Sequence, residues 1–587
     1  MNSPVPDCLT AVRIAAAVLA FLFAEALCAQ SLRYRVEIEA PRELAATLRK
    51  GLNLLRWQDD PQMNAERLRR LADEAVSEAR QVAATEGYFS PQVDLRIDEV
   101  ESPWRVTLKV EPGERTHVAE VEIRFSGPAA KDDEARALFK RVRDRWRLRR
   151  GEPFRQAAWD AAKREAAREL ARWRYAAARI ADSRATIDPE TRQARLEVEL
   201  ASGPAFRFGP VRVTGLRRYA DPVAENLSPI RPGGTYDRDQ VLAYQRRLLE
   251  TGYFASVQAD IDTHPLLADQ APLRVSVIEA STQHVEAGIG YSTDAGPRAE
   301  LRYSNQDVFD SAWRFRSGLR VDEKIQQLQV DFDSPPQPRA RWNSVFARAR
   351  QADIQNETTR ELAVGATHNL YHGLAPIALI VSGHLEEQAI GGDVTDNRHA
   401  LYFGYRRSFR NTDDLVLPRT GYLGTAEVGG APPGLASRQF LRVKVGASLL
   451  IPVGRTGELL LRGEAGSTLA KTREGIPTTF LFRTGGDQTV RGYAFESLGV
   501  AQGDAIVGGR RLAVGALEYT HWVGEGWGVA GFVDAGNAWD QGLSFDPAVG
   551  YGVGGRFRTP IGPIRADLAY GEKTGEFRLH FSVGYTF

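Results

Sequence analysis

Few residues in this 587-residue chain have the types and spacing that chemistry needs. His368 and His372 have the spacing of a helical metal pair, but the segment around them reads as extended. Four residues of strand span roughly 13 Å, too far to share one ion. No metal site is expected there. Gly550, Gly552 and Gly555 in "GYGVGG" satisfy a G-x-G-x-x-G pattern, yet no helical pattern follows, so the segment reads as a strand with a crowded face. There is no P-loop, no Gly-x-Ser-x-Gly elbow and no zinc-spaced cluster, so neither a cofactor nor an enzymatic activity is expected. The informative constellation is "TVRGYAFESLG", residues 489–499, inside the longest stretch without strand alternation, roughly Thr468 to Ile506. Arg491 followed by Gly492 suggests a tight turn presenting a guanidinium. Downstream, "GFVDAGNAW" puts Phe532, Asp534 and Gly536 on one strand face, opposite Val533 and Ala535. Asp534 would then point into an interior, and Phe532 beside it needs something packed against it. An inward-folded loop supplies that something.

Two kinds of element must position these residues. From about Ser31 to Ala280 helical and strand patterns alternate. "AERLRRLADEAVSEARQVAATEGYF" places Leu68, Leu71, Ala72, Ala75, Ala79 and Val82 at helical spacings and stops at Gly87; "DRDQVLAYQRRLLETGYF" turns Val241, Tyr244 and Leu248 inward and stops at Gly252. Strand-like segments near Val36, Val121 and Val211 recur every 85 to 90 residues or so, and such a fixed period marks tandem modules. Each module reads strand, helices, strand, strand, a small α+β unit. The second is the least regular, with Arg174 where the other two have glycine.

Beyond Gln283 helical periodicity disappears. About sixteen alternating segments occupy 284–587, each with its connection roughly 19 residues long, enough for the 9 to 11 that cross a membrane obliquely plus turns. In "FRLHFSVGYTF" Phe577, Leu579, Phe581, Val583, Tyr585 and Phe587 share one face, while Arg578, His580, Ser582, Gly584 and Thr586 share the other. Apolar outside and polar inside predicts a transmembrane barrel rather than a soluble sandwich. Both cysteines, Cys8 and Cys28, fall in a stretch that reads as a secretory signal over 1–29, whose apolar run is too short to span a membrane. Lys+Arg at 76 against Asp+Glu at 75 leaves no basic excess for nucleic acid, and none is expected as a partner.

Three such modules before a sixteen-strand barrel, the turn Val490-Arg491-Gly492-Tyr493 between the eleventh and twelfth strands, and Phe532-x-Asp534-x-Gly536 on the thirteenth resemble the BamA/TamA superfamily of outer-membrane assembly proteins. The number of modules points to its TamA branch. The resemblance implies POTRA modules over 31–113, 114–204 and 205–281 in the periplasm, and a 16-stranded antiparallel barrel over 284–587 in the outer membrane of a Gram-negative bacterium. It implies a loop arginine, Arg491, packed against the strand bearing Asp534. It also implies insertion or assembly of unfolded outer-membrane proteins or autotransporters with a TamB-like inner-membrane-anchored partner. Phospholipid transport to the outer membrane with TamB, a BamA-like role and two-partner secretion remain as alternatives. A passive pore fits less well, since it needs neither the modules nor an inward loop. A lateral seam is expected between the first barrel strand, with Val285, Gly288 and Gly290, and the last, with Phe577, Phe581, Gly584 and Phe587, because glycines weaken side-chain pairing and loosen register.

Overall fold

The computed structural model describes residues 32–583 apart from 101, 372–374, 415–417, 525, 541, 543 and 560–561. The signal segment with both cysteines, His372, Gly584 and Phe587 lie outside the described residues. One compact unit holds the first two modules; another holds the barrel with most of the third.

In the first module β1 (Tyr34–Glu39) leads into α1 (Arg42–Gly51) and α2 (Ala65–Thr85), and β2 (Gln92–Asp98) and β3 (Trp104–Glu111) follow. After the helices the chain returns as β2, and the β2–β3 reversal then lays β3 between the other two strands, antiparallel to β2 and parallel to β1. Asn64 caps α2 by accepting from the Arg67 N–H at 2.8 Å. Leu68, Ala72, Ala75, Ala79 and Ala83, three or four apart, are buried, and all but Ala72 join a core that includes Val106, Leu108 and Val110 of β3. The second module repeats the plan with β4 (His117–Ser126), α3 (Arg136–Arg145), α4 (Gln156–Ala171), β5 (Arg179–Asp188) and β6 (Gln193–Ala201), in the order β4-β6-β5. The third has β7 (Phe208–Thr214), α5 (Arg238–Glu250), β8 (Phe254–Ile261) and β9 (Ala271–Glu279), in the order β7-β9-β8. Val241, Tyr244 and Leu248 of α5 are buried, as their spacing predicts.

The remaining strands close into one barrel of sixteen, each paired with its sequence neighbour. They begin with β10 (Gln283–Ser292), β11 (Gly296–Val308), β12 (Trp313–Val321), β13 (Ile325–Asp333), β14 (Arg341–Ile354) and β15 (Glu357–Leu370). Next come β16 (Ile377–Ile390), β17 (Asp393–Thr412), β18 (Gly421–Ala431), β19 (Phe440–Val453) and β20 (Gly457–Leu469). A small hairpin, β21 (Val500–Gln502) with β22 (Ala505–Val507), lies in the long connection that follows β20. The wall resumes with β23 (Arg511–Trp522), β24 (Trp527–Trp539), β25 (Ala548–Thr559), β26 (Gly562–Gly571) and β27 (Glu576–Val583). Along β15, Glu357, Thr359, Glu361 and Ala363 are buried while Leu362 and Val364 are exposed. The same inversion leaves Val285, Ile289, Leu319, Val381, Tyr519, Val533, Tyr551 and Phe577 facing outward. A water-soluble sheet does the opposite. Lipid is the solvent that such an exterior requires.

Candidate functional site

The connection from β20 to β23 folds into the barrel, and its anchors sit on many strands. Thr478 gives its N–H and its hydroxyl to Glu386 at 2.9 Å, and Phe480 stacks on Tyr402 with ring centroids 4.7 Å apart. Arg483 pairs with Glu357 at 2.6 Å. These contacts carry the chain down to the turn Val490-Arg491-Gly492-Tyr493. Gly492 takes φ +90°, and a Cβ there would come within 2.8 Å of the Gly571 N, so the turn demands glycine.

Arg491 is 3% exposed and makes a two-pronged contact with Asp534: Nε donates to Oδ2 at 2.6 Å and Nη2 to Oδ1 at 2.8 Å. Its own backbone N–H also donates to Asp534 Oδ2 at 3.1 Å. Nη1 reaches Glu518 at 2.6 Å and Asp567 at 3.2 Å. The guanidinium lies 3.4 Å over the Phe532 ring, which supplies the packing that Phe532 needs on an interior face. Arg556 closes the network by donating to Glu518 at 2.7 and 2.9 Å and pairing with Asp567. Two guanidiniums therefore bind three carboxylates from β23, β24 and β26. Val490 is fully buried beside Tyr493 and Ala548, and the Tyr493 hydroxyl donates to the Val549 carbonyl at 3.0 Å. Gly536 leaves room for Val514, whose Cγ2 would lie 2.9 Å from a Cβ there.

Sequence spacing did not reveal several members of this site. Glu518, Arg556 and Asp567 carry no motif. Gly550 belongs to the G-x-G-x-x-G stretch on β25, and its role is steric: a Cβ there would sit 1.8 Å from the Arg491 carbonyl oxygen. Gly552 instead makes room for the Leu568 carbonyl and the Phe532 ring, and Gly555 lies against Phe557. A further chain of hydrogen bonds runs from Ser382 to His384 at 2.8 Å and on to Glu361 at 2.9 Å. It has the connectivity of a nucleophile relay. Ser382 is 3% exposed, however, and Phe480 packs against His384 with centroids 4.8 Å apart, so these groups tie loop to wall. His368 lies on β15 and contacts Asn343 at 2.7 Å.

Among the seam residues, Val285 and Phe577 are strongly exposed and Phe581 is partly so. Gly288 has open space where a Cβ would stand, and Gly290 pairs with Arg298 of β11. Among the described residues β10 meets β27 at Ser292 opposite Ser582. In that antiparallel register Phe577 runs toward the β10–β11 turn and away from Gly288 and Gly290, so the structure does not bring those residues together.

Comparison with known proteins adds the lineage. Residues 281–587 match the Omp85 superfamily domain, more than half of the chain. The chain belongs to the Omp85 superfamily. Residues 35–112 match the description "POTRA domain TamA domain 1", which supports the TamA branch, and 206–280 match a POTRA family described as "Surface antigen variable number repeat". Two curated relatives are each named outer membrane protein assembly factor BamA. The Neisseria meningitidis serogroup B protein is 23% identical over 66% of this chain and 54% of its own length. The Nitratidesulfovibrio vulgaris protein is 24% identical over 64% and 51%. The chain thus spans about half the length of the curated relatives it matches. BamA from Haemophilus ducreyi lacking POTRA domains 1–3 shares the fold, with a TM-score of 0.54 at 15% identity over 80% of this chain and 100% of that one. As an Omp85 member the protein is an outer-membrane β-barrel with periplasmic POTRA modules. Among the described residues no helix is long and apolar enough to cross a membrane; the barrel crosses with strands.

Proposed function

We propose that this chain is the outer-membrane component of a translocation and assembly module, inserting β-barrel or autotransporter proteins together with a TamB-like partner. The observation that carries this reading is the offset between the first and last strands. Among the described residues Ser292 stands opposite Ser582, so Glu576 to Phe581 of β27 extend past the end of β10. Where β27 overhangs β10 in this way, the wall lacks a strand-to-strand ladder and can part at lower cost. Once parted, it offers backbone donors and acceptors to an incoming strand and perturbs the adjacent lipid, so that substrate folding drives the reaction. Val285, Gly288, Gly290, Phe577, Phe581, Gly584 and Phe587 are the proposed seam residues. Val490, Arg491, Gly492 and Tyr493 form the proposed lock, with Phe532, Asp534 and Gly536 as its seat.

In this reading a signal segment covers 1–29, modules cover 31–113, 114–204 and 205–281, and the barrel covers 284–587. The TamB-like partner docks at the first module, in keeping with that module's family match. Deletion followed by quantitative outer-membrane proteomics and lipid analysis tests the reading. It predicts loss of a subset of barrel and autotransporter proteins. A changed lipid distribution with intact protein levels overturns it in favour of phospholipid transport.

A further inference from the structure

The place where β27 outruns β10 is bridged by a cluster with no part in the Arg491 network. Asp294, in the β10–β11 turn, is 5% exposed, and His580 of β27 is 1% exposed. Asp294 Oδ1 and His580 Nδ1 stand 3.5 Å apart, in contact but short of a hydrogen bond, and neither atom has a hydrogen-bond partner among the described residues. The far atoms of both side chains are held by the inward loop. Asp294 Oδ2 accepts the Asp487 N–H at 2.7 Å, and His580 Nε2 accepts the Gly492 N–H at 2.9 Å. Because Nε2 accepts, Nδ1 is the nitrogen that carries the imidazole proton, and it lies on the side of the ring that Asp294 approaches. A hydrogen bond crosses close by, from the Phe581 backbone N–H to the Thr293 side-chain hydroxyl at 3.3 Å.

We infer that Asp294 and His580 form a latch that holds the seam closed through the inward loop. The geometry is a four-point clamp: the first-strand turn and the last strand face each other, and each is gripped from inside by a backbone N–H of the same loop. Asp487 and Gly492 flank Arg491, so the residue that seats the loop also sets the clamp. Gly486, just before Asp487, is part of the fit, since a Cβ there would come within 2.6 Å of Asp294 Oδ2. The loop and the seam are therefore mechanically one device, and withdrawal of the loop and parting of the strands occur together. Asp294 and His580 are positioning residues that act through the loop. This inference rests on the seam reading above and names what regulates it.

Spin labels at Tyr291 on β10 and Leu579 on β27, both facing outward, report the seam distance in the full-length protein reconstituted in bilayers. The wild type gives one narrow short distance. Asp294→Ala and His580→Ala each remove one partner of a buried contact, and each raises the long-distance population about tenfold or more, the change that roughly 1.4 kcal/mol produces. The double variant rises no further than the singles, as it must if the two act as one latch. Asp294→Asn, which keeps the side chain's shape, serves as the second variant should Asp294→Ala fold poorly, with heat-modifiable migration checking that the barrel has formed. An unchanged distance distribution in all folded variants overturns the latch, and so does full additivity. A latch that fails in this way while a covalent seam crosslink still abolishes assembly leaves the seam reading standing. A crosslink without effect removes the seam reading itself.

Discussion

Arg491 is a desolvated cation with its entire fork occupied, and that decides what its loss costs. Removing one partner of a buried, hydrogen-bonded ion network leaves uncompensated charge worth about 3–5 kcal/mol, against about 0–1 kcal/mol for an exposed pair. Arg491→Ala and Asp534→Ala are each expected to lower barrel stability by the larger amount and to fail in complementation; wild-type thermal melting and growth would contradict the buried-network account. Gly550→Ala tests the same seat from the opposite side. Its added carbon would stand 1.8 Å from the Arg491 carbonyl oxygen, so the loop must leave its seat, and limited proteolysis of the loop should rise sharply. Unaltered protease resistance would refute that role. Half of this site was legible beforehand. Arg491 announces itself beside Gly492, and Asp534 by alternation with Val533 and Ala535. Glu518, Arg556 and Asp567 do not, because a lumen-facing charge looks the same on every strand. Which of them meet is set by the stagger of the closed sheet, a property no local spacing records.

The helix ends show how far a repeat can be read through a substitution. Gly87 and Gly252, at which the sequence stops α2 and α5, both take left-handed backbone, at φ +91° and +78°. Arg174, where the second module lacks its glycine, takes φ +66° as well. Its guanidinium pairs with Asp132 at 3.2 Å and also with Glu134, contacts that offset the strain of an L side chain there. Conformation was conserved across the repeats where residue type was not, so sequence self-similarity understated the regularity. Glu279, at the end of β9, accepts backbone N–H groups from Arg217, Arg218 and Tyr219 at 2.8, 2.9 and 3.1 Å. Burial pushes its carboxyl upward, but the three donors favour the charged form and hold it below the usual value of 4.5. A depressed carboxylate stabilises the fold above its unfolded value, and that stabilisation is lost as pH falls through the folded one. Amide exchange in the 217–219 segment should therefore show protection falling as pH drops below about 4.5 after correction for intrinsic rates. Glu279→Gln should flatten that dependence, and an equally steep fall in the variant would contradict the assignment.

At the scale of the whole molecule, two periods told most of the story. Helical spacing marked the modules, and a period of two with the apolar face outward marked the barrel, because lipid inverts the usual sorting of side chains. Counting alternating segments over 284–587 gives about sixteen strands, and sixteen close the wall. The relation between first and last strand was beyond reach. Gly288 and Gly290 pointed to a weak first strand, yet the offset that puts Ser292 opposite Ser582 comes from closure of the entire cylinder. That same pair offers the most direct test of the central claim, that the seam must part for the protein to work. With Ser292→Cys and Ser582→Cys introduced together, oxidation should abolish assembly of outer-membrane substrates and reduction should restore it. Full assembly by the oxidised, crosslinked protein would contradict the account.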